Sequence, residues 1–270
     1  MSSEASADAV TASAGSARPR PRRVPSIWLW RLASFALVFG IWEVTGRIPI
    51  SLAFPPASAV LVAFVEMTLN GEFAKAYGRT LPPLVVGTLI VAIGGVLIGV
   101  TVGLARLVEW LFLPVLVIFQ TAPVSAIIPL ITYVYGIDDR AKVIAVVILG
   151  LPLVALNSYK GIQSTSRSLL DMSKSFLASR LDTIRFVILP SASGMIFAGL
   201  RLGVSGAFIG IVLAELLITP TGIGDLITYN RSIARYDKMF AAIVSIIAFA
   251  AVVLALLQAL EQRLFPARTA

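Results

Sequence analysis

Two charged side chains stand where charge is costly. Arg201 and Glu215 are the sole Asp, Glu, Lys or Arg residues in the apolar run 191–218. A charge at the centre of a membrane helix costs at least ~2.5 kcal/mol on insertion scales. Such residues line a solute or ion path, or they hold a partner. Their spacing puts them on nearly the same helical face but about 21 Å apart along the axis. They cannot pair with each other, so each needs another partner or water. A second polar set, Gln120, Thr121, Pro123, Ser125 and Pro129, interrupts another apolar run. Prolines free backbone carbonyls, and polar side chains in lipid sit where water, solute or a neighbouring helix satisfies them. Two readings follow. One is a water-lined pathway containing Gln120, Thr121, Ser125 and Arg201, with Glu215 near its outer end and Tyr133 and Tyr135 near its mouth. The other is a proline-kinked helix whose polar groups are satisfied locally. Asp138-Asp139 has the form of a metal pair, but it opens a helix beside Arg140 and Lys142. Capping and dipole complementation account for it better than a metal does.

The residue inventory narrows the chemistry. The chain has no cysteine and no histidine, which removes thiolate chemistry, disulfides, the commonest general base and the commonest transition-metal ligand. With the acidic residues scattered, no catalytic constellation for a membrane-bound lipid enzyme assembles. An ion-coupled secondary transporter needs coupling carboxylates at mid-membrane and commonly an inverted repeat. Glu43 and Glu215 are the candidates, both near span ends, and no repeat is evident.

The elements that position these residues are membrane helices. Of the 270 residues 58% are apolar and 13% charged, at a mean hydropathy of +0.92, so the chain reads as an all-α, polytopic membrane protein. The net charge of +8 suits lipid headgroups and topology rather than nucleic acid, because the basic residues flank apolar runs. A span needs about 20 apolar residues. Six segments qualify: 27–45, 81–105, 110–135, 143–159, 192–218 and 239–260. The first carries Arg31 and Glu43, with Trp28, Trp30 and Trp42 at its ends, and no small-residue cleavage site follows it, so it reads as a retained helix. Residues 1–26, Ala/Ser/Thr-rich and then Arg/Pro-rich, read as a disordered tail. Residues 27–265 form the membrane domain and 266–270 a short C-tail. The segment 58–70 aligns Val60, Phe64 and Met67 on one face and is expected along the interface. With six spans, 12 basic residues fall on the side of both termini and the 160–190 loop, against 8 on the other. That excess predicts cytoplasmic termini.

Helix contacts are foreshadowed by glycine. Gly95, Gly99 and Gly103 recur every fourth residue in one span; Gly199, Gly203, Gly206 and Gly210 form two such pairs in another. Small residues at this spacing let backbones approach closely in lipid. This is ordinary bundle packing, or a surface on which helices slide.

Between the fourth and fifth spans lies KGIQSTSRSLLDMSKSFLASRLDTIRFVILP, residues 160–190. It is polar and basic, with apolar segments on both sides. Ser168 and Asp171 fit a capping box at the start of a short helix, on which Leu169, Ser173 and Phe176 share a face. Pro190 is expected to end that region, with the next span following.

This loop resembles the cytoplasmic Glu-Ala-Ala signature of the membrane permease subunits of binding-protein-dependent ABC importers, most closely the taurine/alkanesulfonate/nitrate type. The corresponding residues are Asp171-Met172-Ser173, Leu177 in place of the loop glycine, and Ile188-Leu189-Pro190. AGLRLGVSGAFIGIVLAEL (198–216), PLITYVYGIDDRAK (129–142), GIGDLI (222–227) and PPASAVLVAF (55–64) are similar to other parts of that family, in one register over about residues 50–265. The resemblance implies a type I ABC importer-like arrangement of six transmembrane helices with a cytoplasmic coupling helix, in the bacterial inner membrane. It assigns Ser168, Asp171, Ser173, Lys174, Phe176, Leu177, Leu189 and Pro190 to contact with the ATPase. It also implies a second permease copy, a cytoplasmic ATPase dimer and an external solute-binding protein. The chain has no GxxxxGK[S/T] phosphate loop, so ATP and Mg belong to the partner ATPase and no cofactor is expected on this chain. Two departures stand out: Asp171 replaces glutamate and Leu177 replaces glycine.

Overall fold

The computed structural model describes residues 27–48, 53–218 and 221–264. Its elements are helices: α1 (Ile27–Arg47), α2 (Ala57–Leu69), α3 (Glu72–Leu104), α4 (Arg106–Thr121), α5 (Val124–Tyr135), α6 (Asp139–Gln163), α7 (Arg167–Ser175), α8 (Arg180–Asp182), a π-helical turn (Thr183–Ile188), α9 (Leu189–Leu217), α10 (Ile223–Ser232) and α11 (Tyr236–Leu264). The expected tails at 1–26 and 266–270 lie outside the described residues.

Among the described residues, four stretches are long and apolar enough to cross a membrane: α3, α6, Arg180–Leu217 and most of α11. The expected single span at 110–135 is instead two helices, α4 and α5, bent by 105°. The break falls at Ala122-Pro123, where proline forces its predecessor out of the helical region; Ala122 has ψ 137°. Counting that pair as one crossing gives five rather than six. The remaining candidate, α1, carries Arg31, Glu43 and Arg47 along its 21 residues. The second span starts earlier than expected, because Gly71 at φ 73° opens α3 nine residues before Leu81 and the helix runs through Pro82-Pro83.

α6 is the axis of the bundle, packed against both α3 and α9, which also touch each other where Val91 meets Gly203. A Cβ on Gly95 would lie 2.6 Å from Val154 Cβ, one on Gly103 2.7 Å from Ile162 Cβ, and one on Gly99 would run into the Ala155 carbonyl. From α9, a Cβ on Gly206 would reach the Leu149 carbonyl at 2.9 Å and one on Gly210 the Ala145 carbonyl at 2.8 Å. Gly199 and Gly203 approach Asn157 and Val154 in the same way. The glycines therefore bring backbone against backbone, and α6 buries Ala145, Val146, Val154 and Ala155 completely.

The helix α2 lays one face on the bundle. Val60, Ala63 and Met67 are buried in the main core with Phe73 of α3 and Ala241, Ala242 and Ile246 of α11. Leu61, Val62, Val65 and Leu69 on its other face stay exposed. Glu43 secures its start: the carboxylate accepts the Ser58 backbone N–H at 2.8 Å and the Ser58 hydroxyl at 2.9 Å.

A paired substitution tests the central contact. Gly99→Val must displace the α6 backbone and should destabilise the bundle by about 1–3 kcal/mol, the usual range for overpacking. Gly94→Ala adds a methyl whose sole near neighbour is Leu151 Cδ1 at 3.6 Å, and should be close to neutral. Thermal unfolding of the two variants in the same detergent compares them; equal stability would refute the axial role given to Gly99.

Candidate functional site

At one end of the bundle α6 hands over to α7. The Ser166 hydroxyl accepts the Leu169 N–H at 3.3 Å and so caps the helix, two residues before the expected Ser168. Ser168 is exposed on the first turn. Nor is the capping box formed by Asp171, which pairs with Lys174 at 3.0 Å on the exposed face. Ser173 points inward: it is buried and its hydroxyl lies 2.7 Å from that of Thr183. That bond ties α7 to the π-helical turn. The expected ridge of Leu169, Ser173 and Phe176 is thus corrected, because its middle member is the anchor.

What faces outward is apolar. Phe176, Leu177, Leu181 and Phe186 are between two-thirds and nine-tenths exposed, with Met172 and Leu169 partly so. Arg185 lies over the Phe186 ring at 5.5 Å from its centroid, and Arg167, Lys174 and Arg180 are exposed nearby.

Leu177 carries the most information. It sits at φ 54°, the left-handed region that costs an ordinary L-residue about 1–2 kcal/mol. The turn is a Schellman motif: the Ala178 N–H reaches the Ser173 carbonyl at 3.1 Å and the Leu177 N–H reaches that of Lys174 at 2.9 Å. The backbone keeps the path a glycine would take, with leucine in its place. Its side chain is 92% exposed. Strain and an exposed apolar side chain at one position are two costs that this chain alone does not offset, and strain of this kind collects at functional sites.

Leu189-Pro190 does not close a helix. The chain stays helical from Arg180 to Leu217, and the π-helical turn Thr183–Ile188 comes just before the proline. Proline lacks an N–H and clashes with the carbonyl four residues back. The wider π turn, with its i→i+5 bonding, accommodates that mismatch where an α-helix would break.

The candidate pathway residues are not gathered into one place. Gln120 and Thr121 are exposed at the end of α4, where the Thr121 hydroxyl bonds back to the Val117 and Ile118 carbonyls at 3.2 and 3.1 Å. Ser125 lies just past the break in α5, and its side chain is outside the described residues. Arg201 pairs with Glu261 of α11 at 2.7 Å. Glu215 is enclosed at the other end of the bundle.

There the structure supplies partners that sequence reasoning missed. Lys142 of α6 meets Glu215 of α9 at 3.0 Å, with both side chains fully buried. The Lys142 ammonium also donates to the Thr221 hydroxyl at 3.0 Å. The Gly224 N–H donates to Glu215 Oε2 at 3.0 Å. The Thr80 hydroxyl of α3 lies 2.9 and 3.1 Å from the two carboxylate oxygens and accepts the Ile223 N–H at 3.0 Å. Gly222, at φ 88°, and Gly224 leave room for this carboxylate, since a Cβ on either would overlap the Glu215 side chain. The available signal was slight: Lys142 sits just outside the apolar stretch beginning at Val143. Asp138, as expected, caps α6 by accepting the Asp139 N–H at 2.7 Å.

Residues 92–266 match the family described as binding-protein-dependent transport system inner membrane component. The chain is 28% identical to the putative aliphatic sulfonates transport permease protein SsuC of Bacillus subtilis, over 90% of this chain and 89% of that protein. It is 27% identical to the taurine transport system permease protein TauC of Escherichia coli, over 88% and 92%. With the nitrate import permease protein NrtB of Leptolyngbya laminosa the identity is 25%, over 78% and 83%. A structure of the MetNI methionine ABC transporter in inward-facing conformations superposes with a TM-score of 0.56 at 16% identity, covering 73% of this chain and 96% of that one. It shares the all-helical permease fold of type I ABC importers. The chain belongs to the binding-protein-dependent transport system inner membrane component family, as a permease subunit of an ABC importer whose ATPase is a separate subunit.

Proposed function

We propose that this permease works as one of two identical copies enclosing a path for a small anionic solute, a sulfonate or a nitrate-like ion. An ABC importer permease implies an ATPase and a solute-binding protein as partners. In this reading the ATPase docks on α7 through Phe176, Leu177, Asp171 and Lys174, and the binding protein meets the opposite, outer end around α10. Both termini then lie on the cytoplasmic side of the inner membrane, in keeping with the basic residues counted there. The observation that carries the docking assignment is Leu177, strained and exposed beside an exposed Phe176.

The second copy is supported by Gln120 and Thr121. They project from the surface of a single chain at the α4–α5 break, so a path that uses them needs another wall. The solute class rests on the relatives named for sulfonates, taurine and nitrate. Ion-coupled transport loses support from the structure as well, because its two candidate carboxylates are engaged: Glu43 caps α2 and Glu215 pairs with Lys142.

Substitution at the turn separates backbone from side chain. Burying a leucine against a partner is worth about 1.5–3 kcal/mol. Leu177→Gly and Leu177→Ala should therefore both weaken ATPase binding by about ten- to a hundred-fold, although only glycine relieves the backbone strain. A titration of purified permease with the ATPase measures this. If Leu177→Gly binds as tightly as the parent, the side chain is not a docking element. Phe176→Ser should abolish co-purification of the ATPase together with solute-stimulated ATP hydrolysis. Retention of both would remove α7 from the contact.

A further inference from the structure

A buried ion pair is weak evidence for stability, because desolvation of two charges offsets most of their attraction; its best-attested use is to fix register. The Lys142–Glu215 pair has the connections such a role requires. Two of its bonds reach the short segment Thr221–Gly224, Lys142 to Thr221 and Gly224 to Glu215, and Thr80, beside the carboxylate, adds a third by accepting the Ile223 N–H. That segment leads directly into α10. The carboxylate also fills the space that Gly222 and Gly224 leave by lacking a Cβ. The seat draws on three helices at once, α3, α6 and α9, while the α3–α6–α9 packing itself rests on glycine contacts farther along the helices.

We propose that Lys142, Glu215 and Thr80 form a positioning seat for Thr221–Gly224 and α10, setting the outer surface through which solute delivery reaches the permease. This rests on the transport reading above for its purpose, though not for its geometry. Neutralising Glu215 leaves the buried Lys142 ammonium with Asp139 of its own helix, 3.9 Å away and beyond hydrogen-bonding distance, as its nearest carboxylate, and the segment must lift to let water reach the ammonium. Neutralising both residues removes that demand.

The chain has no cysteine, so a single introduced thiol can be followed in the permease–ATPase complex in nanodiscs with a charged maleimide. Ile223→Cys reports on the segment, since Ile223 is fully buried. Val154→Cys, buried in the middle of α6, reports on the bundle. Adding Glu215→Gln should raise labelling at position 223 at least tenfold and leave position 154 protected. Adding Lys142→Met to that variant should restore most of the protection. Gly222→Ala, which drives a methyl into the carboxylate, should expose position 223 by itself. The proposal is overturned if position 223 stays protected in Glu215→Gln, if position 154 is labelled in parallel, or if the double variant is as exposed as the single one. On the same samples, the ratio of hydrolysis with and without solute-loaded binding protein should fall several-fold in Glu215→Gln and recover in the double variant; an unchanged ratio would leave the seat without the proposed purpose and overturn it. If the parent complex shows no such stimulation, the transport reading fails, while labelling still decides the seat.

Discussion

Everything in this bundle depends on how closely α3 and α9 approach α6. In lipid the hydrophobic effect does not drive helices together, since a lipid tail is as apolar as leucine. Association rests on van der Waals contact and on polar bonds between helices. The glycines on α3 and α9 convert that constraint into backbone contact, reaching the carbonyls of Leu149, Ala145 and Ala155. Close contact of this kind tolerates neither an added methyl nor a gap. α6 is therefore held in register on two faces, and its ends become fixed points. One end carries Lys142 to Glu215, and the other delivers the chain into α7.

Charge is handled by the same economy of contact. Among the described residues, the ion pairs that join different helices of the bundle are Glu215 with Lys142, Arg201 with Glu261, and Lys238 with Glu66 and Glu72 at 3.2 and 2.8 Å. An unpaired charge in lipid costs several times what a paired one does, so these bonds also record which helices must stay adjacent. Lys238 ties α11 to the α2–α3 junction. Arg201 ties α9 to the far end of α11. Glu43, paired with its own neighbour Arg47 and placed against the first turn of α2, joins α1 to the bundle.

Residues that act through local rules were legible in the sequence. The glycine spacing identified the helices that come close, and the family pattern singled out position 177, where leucine stands for glycine, without saying which backbone path the turn takes; the structure has it at φ 54°. Residues that act through a distant partner were not legible. Lys142 lies 73 positions from Glu215, and no local pattern says that its ammonium turns inward rather than towards headgroups. Ser173 was read as part of an exposed face because helical periodicity places it beside Leu169 and Phe176, but its bond to Thr183 depends on how the chain returns after the turn. The effect of two prolines was not legible, for one reason. Pro123, where a kink was one reading, bends the chain by 105° between two helices, whereas Pro190 is absorbed by a π turn. Composition does not distinguish a kinked, a broken and a widened helix.

The π turn also bears on how the two ends of the molecule are related. The π turn and α9 together reach from Thr183, bonded to α7 through Ser173, to Glu215, which seats the segment at the start of α10. Along that length the glycine face of α9 lies flush on α6, so the two helices cannot slide past each other without opening voids or forcing overlaps. A displacement of α7 therefore has two physical outlets. It is absorbed in the π turn, or it moves α6 and α9 as one body. In the second case Lys142 and Glu215 travel together, and their bond is preserved while the bonds to Thr80 on α3 are the ones that must stretch. The seat of the outer segment is then most sensitive to motion between α3 and the α6–α9 pair, which makes Thr80, rather than either charged residue, the point at which a shift of the bundle would first be felt at α10.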